Sequence, residues 1–294
     1  MSNVGTFERA LGSDPLVATN TIELLWVGID HAEGLAFAAD GTLWAGGEEG
    51  QIYMGALDEE PAVVGKTPGR TLGFAVDGSG RAYCADMTAP GVYRIDPSGS
   101  VSCLSAGSPA RAMRVPNALA FTPDGLLLAT DSGDWDTPNG CIYAIAGDGE
   151  TREVSADAAR FPNGIAVSPD GGTVAVIEST LPGVSLLSLE DGVLTDYRVL
   201  LEMPSTIPDG VAWDSDNRLL ISCWSPDAVF LADLDGECVL LAHDPLRFSL
   251  NQPTNVAFLP GTNRVIAANI GERFVSAFEH DSPGGTVHRP VFDE

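Results

Sequence analysis

Short apolar runs broken by turn residues, not helical stripes, organise this chain. Residues 165–167 (IAV) lead into 169–172 (PDGG) and then 173–177 (TVAVI), a strand, a tight turn and a second strand. Apolar runs at 140–145 and 153–154, and at 184–189 and 199–200, extend the pattern to about four strands per unit. The unit recurs as PNALAFTPDG from Pro116, PNGIAVSPDG from Pro162 and PDGVAWDSDN from Pro208. Weaker copies start at Ala32, Thr71 and Pro253. Aligning the apolar runs places Glu33, Leu72, Asn117, Asn163, Asp209 and Thr254 at one equivalent position, spaced 39, 45, 46, 46 and 45 residues apart. A strand-rich period of about 40–50 residues marks a propeller with one repeat per blade. The expectation is an all-β, six-bladed β-propeller with about four antiparallel strands per blade, as one domain over 21–294. A polar lead-in over 1–20 carries one short helix near 6–11. Residues 21–27 have no hairpin partner ahead of them and are expected to pair with the last blade, closing the ring.

The length of 294 residues suits one closed β domain, and 44% hydrophobic content is that of a folded globular chain. No apolar stretch approaches the ~20 residues of a membrane span. No basic start followed by an apolar core opens the sequence, which favours the cytoplasm. Forty-one acidic against 15 basic residues give a net charge of −26, a field that repels phosphate backbones and excludes nucleic acid as a partner. The five cysteines form no CxxC pair, so neither a disulfide framework nor a zinc ribbon is expected. Cys84, Cys141 and Cys223 fall in or beside strands as small apolar residues.

A propeller turns equivalent positions into neighbours around one axis. One end of the channel should therefore gather Glu33, Asn117, Asn163 and Asp209. Two carboxylates with two amide oxygens make an all-oxygen set, which suits Ca2+ or Mg2+ and would relieve the repulsion between Glu33 and Asp209. The competing reading is that Asn163-Gly and Asp209-Gly only make turns. The second strands end at Gly47, Asp86, Asp131, Glu178, Cys223 and Asn269, on the same face.

With Glu33-Gly-Leu35, residues 162–171 (PNGIAVSPDG), residues 208–212 (PDGVA), residues 131–135 (DSGDW) and residues 253–258 (PTNVAF), the chain resembles the gluconolactonase–regucalcin family of six-bladed propellers, which includes the luciferin-regenerating proteins. The resemblance spans about residues 24–280. It implies one divalent metal ion near the channel mouth, typically calcium, with Mg2+, Mn2+ and Zn2+ as alternatives. Glu33, Asn163 and Asp209 would be its side-chain ligands, with Asn117 in the same site. It also implies a hydrolase acting on a small-molecule lactone, the metal polarising the carbonyl and Asp209 activating water. Arg114 lies three residues before Asn117, and Ala118 follows it where the sugar-lactone hydrolases commonly carry Asp. This departure touches sugar-lactone specificity more than cation binding. Glu178 resembles the Glu-Thr phrase of strictosidine-synthase-like propellers, which leaves open a condensing or isomerising enzyme. A non-catalytic calcium-binding propeller is the third reading.

His31, two residues before Glu33, would share its face in an extended segment and could act as a base. Trp224, beside Cys223, could wall the pocket or pack between blades. Together with Arg114, Asn117 and Glu178 these complete the expected substrate-binding set. His243, His280 and His288 fall outside the repeated phrases and receive no role. No G-x-S-x-G elbow, H-E-x-x-H helix or phosphate-binding glycine loop is present.

Overall fold

In the computed structural model, which describes residues 4–292, six four-stranded antiparallel sheets surround a central axis. Of the lead-in and propeller segments expected above, residues 1–3 and 293–294 lie outside the described residues. Each of blades 1–5 is a meander running outward from the axis. Their innermost strands are Leu35–Phe37, Thr71–Val76, Pro116–Phe121, Pro162–Val167 and Ile207–Trp213. Blade 6 has Pro253–Phe258 innermost, then Arg264–Asn269 and Val275–Glu279, and takes its outer strand from Glu23–Leu25 at the other end of the chain. That pairing, Glu23 opposite Ala277 through Leu25 opposite Val275, closes the ring and covers an edge that would otherwise be exposed.

The core is divided among the interfaces between neighbouring blades. Blades 4 and 5, for example, meet through Ile177, Leu186, Val211, Trp213 and Phe230. The lead-in is packed into this frame. The helix Val4–Leu11 sets Phe7, fully buried, against Phe230 with ring centroids 5.1 Å apart. Leu16 and Val17 then donate backbone hydrogen bonds to Leu240 and Leu241 of the outer strand of blade 5. All five cysteines are free, and all but Cys103 are buried.

The chain after blade 6 crosses the face formed by the first hairpin turns. Ser215 N–H donates to Pro283 O, Gly285 N–H to Trp213 O and Gly78 N–H to Pro290 O. Phe292 ends the crossing between Tyr83 and Phe121. No helix among the described residues is long and apolar enough to cross a membrane.

Candidate metal centre and active site

The six aligned positions sit where the inner strands begin, and in blades 2–5 each lies on a β-bulge. In blade 4, Pro162 pairs with Glu178 and Ile165 with Val176, so Asn163 and Gly164 together oppose Ile177 alone. Blade 5 repeats this with Asp209 and Gly210, blade 3 with Asn117 and Ala118, and blade 2 with Leu72 and Gly73. The extra residue re-aims the side chain out of the pleat. The backbone N–H it displaces is taken by a hydroxyl on the second strand: Ala118 N–H by Thr130 Oγ1 at 2.9 Å, Gly210 N–H by Ser222 Oγ at 3.1 Å.

Asn163-Gly164 and Asp209-Gly210 are therefore not turns. Neither glycine adopts a positive φ. They are needed for close approach: a Cβ at Gly164 would stand 2.6 Å from Asp209 O, and one at Gly210 2.6 Å from Thr254 O. Glycine at these points draws adjacent inner strands together and narrows the ring.

Glu33, Asn117, Asn163, Asp209 and Thr254 consequently line one cavity of about 10 Å3, room for a single water or ion. Two serines orient the amides. Asn117 Nδ2 donates to Ser132 Oγ (3.1 Å), which donates to Pro162 O (2.8 Å). Asn163 Nδ2 donates to Ser179 Oγ (3.3 Å), which donates to Pro208 O (2.8 Å). With its NH2 engaged, the Asn117 amide has its oxygen left as the free acceptor. The Asn163 amide also donates to the Asp209 carboxylate. Thr254 is turned aside, donating to Glu33 O at 2.7 Å and stitching blade 6 to blade 1.

The carboxylates are under electrostatic stress. Burial pushes Glu33 up to about 7 despite the opposing pull of Arg70. Burial and the Glu33 charge hold Asp209 well above the usual carboxylate range. Both shifts mean that the site lacks positive charge. Two acids, aligned amides and a one-ion cavity are the donor set of a hard divalent cation, so the residues fit the group expected from the sequence.

Sequence reasoning missed the residue that answers part of this stress. Arg70, two residues before the apolar position Leu72, extends Nη2 to Glu33 Oε2 at 3.0 Å and Glu48 Oε1 at 3.5 Å. Glu48 Oε2 in turn lies 3.6 Å from His31 Nδ1, which is 3.1 Å from Asp30 Oδ1. A line of polar and charged side chains thus runs outward from the cavity. His31 does not share the face of Glu33 as expected. Its φ of +24° breaks the extended geometry on which that argument depended, and the ring turns to Asp30 and Glu48. Asp30, His31 and Glu48 bring one ligand atom each within 4.8 Å of one another, a second acidic group at the rim.

The other expected substrate contacts lie away from the cavity. Glu178 is fully buried at its strand end. Its Oε1 accepts from Arg160 N–H (3.0 Å), and its Oε2 accepts from Ser185 Oγ (2.5 Å) and Tyr197 OH (2.8 Å). Asp86 does the same for Gly69 N–H, Asp131 for Arg114 and Val115 N–H, and Asn269 for Asn251 N–H. Each side chain clasps the segment entering its own blade. Arg114 is half exposed with its guanidinium 2.6 Å from Asp134, and Trp224 is 36% exposed at the rim.

Residues 15–266 match the SMP-30/gluconolactonase/LRE-like region. The chain belongs to that family. It is 25% identical over 177 residues to lactonase drp35 of Staphylococcus haemolyticus, covering 58% of this chain and 53% of that one. It is 26% identical over 214 residues to the gluconolactonase of Zymomonas mobilis, covering 65% and 59%. The matches thus span little more than half the length of these curated relatives. The fold matches XC5397 of Xanthomonas campestris, a gluconolactonase, with a TM-score of 0.75 at 23% identity, covering 92% of this chain and 96% of the other. It also matches the calcium-binding protein regucalcin of Agrobacterium tumefaciens with a TM-score of 0.75 at 20% identity, covering 95% and 98%.

Proposed function

We propose that this propeller is a divalent-cation-dependent hydrolase that opens the ring of a small lactone. The observation that carries the reading is the convergence of Glu33, Asn163 and Asp209, from blades 1, 4 and 5, on a cavity the size of one ion. Their chemistry favours Ca2+, held by Glu33, Asn163 and Asp209 with Asn117 alongside. The lactonase and gluconolactonase relatives support the substrate class.

When bound, the cation supplies Lewis-acid polarisation of the ester carbonyl. Asp209 is the base. A carboxylate whose proton affinity is raised by burial and a neighbouring negative charge is a stronger base once ionised than an exposed one. It takes a proton from the water that adds to the carbonyl carbon and returns it to the ring oxygen as the C–O bond breaks. Asn163 holds Asp209 in place, and Ser179 holds Asn163. Arg70, at the cavity edge, offsets negative charge that builds there.

The test joins metal analysis of chelated and reconstituted protein to a lactone panel followed by proton release. Ring opening is expected only with the cation restored, and Asp209→Asn is expected to lower kcat at least a hundredfold with the fold intact. Equal turnover in chelated protein, or an active Asp209→Asn variant, overturns the assignment.

A further inference from the structure

Below the acidic ring, the central channel widens into a cavity of about 410 Å3 lined by the inner strands of all six blades, a size typical of small-molecule sites. Its bore comes from one repeated choice. Three residues after each aligned position stands an alanine: Ala36, Ala75, Ala120, Ala166, Ala212 and Ala257. An ordinary strand would put positions i and i+3 on opposite faces, but in blades 2–5 the bulge between them restores both to the axis. Five of the six alanines keep part of their surface free in strands whose neighbouring residues are mostly buried.

The far end of this tube, whose side chains are mostly apolar, is floored by residues 284–289 of the C-terminal crossing, and there the chemistry changes. Arg289 enters the cavity lining. Its Nε donates to Phe37 O at 3.1 Å and its Nη1 to Val287 O at 3.5 Å, while Nη2 has no protein partner among the described residues. Among the described residues no carboxylate pairs with it, whereas Arg81, Arg111, Arg114, Arg218, Arg247 and Arg264 each pair with one. Burial alone shifts its pKa, downward, with no acid to oppose the shift. In a chain of net charge −26, a half-buried cation thus has no anion among the described residues, at the end of a cavity lined mostly by apolar side chains. Such a charge is costly unless an anion reaches it, and a guanidinium fork matches a carboxylate. Beside it, His288 Nε2 lies 2.9 Å from Ser168 O, so that nitrogen is a donor engaged with the backbone.

We propose that the channel is a second binding site, separate from the acidic ring, for a single-chain aliphatic carboxylate. The head pairs with Arg289, and the chain lies along the six alanines. Entry is beside the exposed Val287, at the face opposite the metal centre.

Calorimetric titration of the full chain with octanoate tests this, with 1-octanol as the uncharged control. Saturable one-to-one binding is expected, at least tenfold tighter than octanol. Arg289→Met should weaken it at least tenfold, Ala120→Phe should abolish it by filling the bore, and Asp209→Asn should leave it unchanged. Circular dichroism confirms that each variant is folded; if Arg289→Met does not fold, the octanol comparison and Ala120→Phe decide. No saturable binding, octanol binding as tightly as octanoate, or loss of binding in Asp209→Asn, which would place the carboxylate on the acidic ring, overturns the proposal.

Discussion

Replacing Glu33 by glutamine should stabilise the cation-free protein at alkaline pH and only there. Glu33 is 15% exposed, and burial raises it from an ordinary 4.5 to about 7. Between those two values the folded chain holds the proton more tightly than the unfolded chain does, so stability falls as pH rises. The cost is complete once pH exceeds the folded value. It amounts to about 3 kcal/mol, the free energy of moving one titration by that interval. Glutamine carries no charge in either state and keeps an oxygen for Arg70. In chelator, Glu33→Gln should therefore be more stable than wild type by about 3 kcal/mol at pH 8, the gap shrinking below about 1 kcal/mol at pH 5. Calcium at a thousand times its Kd should reverse the order, since it stabilises wild type by about 4.1 kcal/mol. Urea unfolding of both proteins at the two pH values, with and without cation, reads all of this. A variant that is no more stable than wild type at pH 8 in chelator, or a gap that does not change with pH, would refute the claim that Glu33 is strained by its burial.

Three further outcomes follow from the same geometry. Ser179→Ala frees the amide of Asn163 and strands Pro208 O, and should weaken calcium binding by about tenfold to a hundredfold in a competitive chelator titration at a stability cost of about 1–3 kcal/mol. Glu178→Leu strands Arg160 N–H and removes the acceptor shared by the Ser185 and Tyr197 hydroxyls, leaving them only each other, the Tyr197 phenol being pushed up to about 12 by burial. It should cost about 3 kcal/mol of stability yet leave cation affinity within about twofold in any molecules that remain folded. Gly164→Ala forces a methyl to within 2.6 Å of Asp209 O, so the strand must shift; the expected result is loss of tight calcium binding even where circular dichroism shows β structure retained.

The architecture was legible because every blade repeats the same strand–turn–strand phrase, and the candidate site because Glu33, Asn117, Asn163 and Asp209 stand at the starts of otherwise apolar strands. What lay beyond sequence was register. The competing reading of Asn-Gly and Asp-Gly as turns could not be dismissed from sequence, since nothing local distinguishes a turn from a bulge pressed against the next blade. Glu178 read as a site acid because its neighbours in space, Arg160 N–H, Ser185 and Tyr197, are set by the pairing of strands and not by adjacency. Its kinship with Asp86, Asp131 and Asn269 was visible in the alignment, but their common task as backbone acceptors was not. Arg70 was missed for a similar reason: it precedes the repeated phrase, in the one blade whose aligned residue is apolar. The serines at 132 and 179, directly after Asp131 and Glu178, were the signal available for the orientation of the two amides.

The ring suits a single cation because its sixfold repeat is broken in a definite order. Identical acids at all six positions would concentrate negative charge beyond what one ion could offset, and identical apolar residues would bind nothing. Blades 1 and 5 supply the charges, and blades 3 and 4 supply amides whose NH2 groups are anchored by serine. Blade 6 uses its hydroxyl on Glu33 O, closing the circle without adding an acid. Blade 2 presents Leu72 and sends Arg70 around it to Glu33. Arg70 is thus the only cationic side chain that the described ion pairs bring to the cavity carboxylates, and an added cation must share Glu33 with it. Glu48, on the far side of the guanidinium, offers Arg70 a second carboxylate, so its hold on Glu33 can loosen without leaving a buried charge unpaired. The line from Asp30 through His31, Glu48 and Arg70 to Glu33 joins the rim to the cavity, and Glu48, the carboxylate on the far side of Arg70, is 44% exposed.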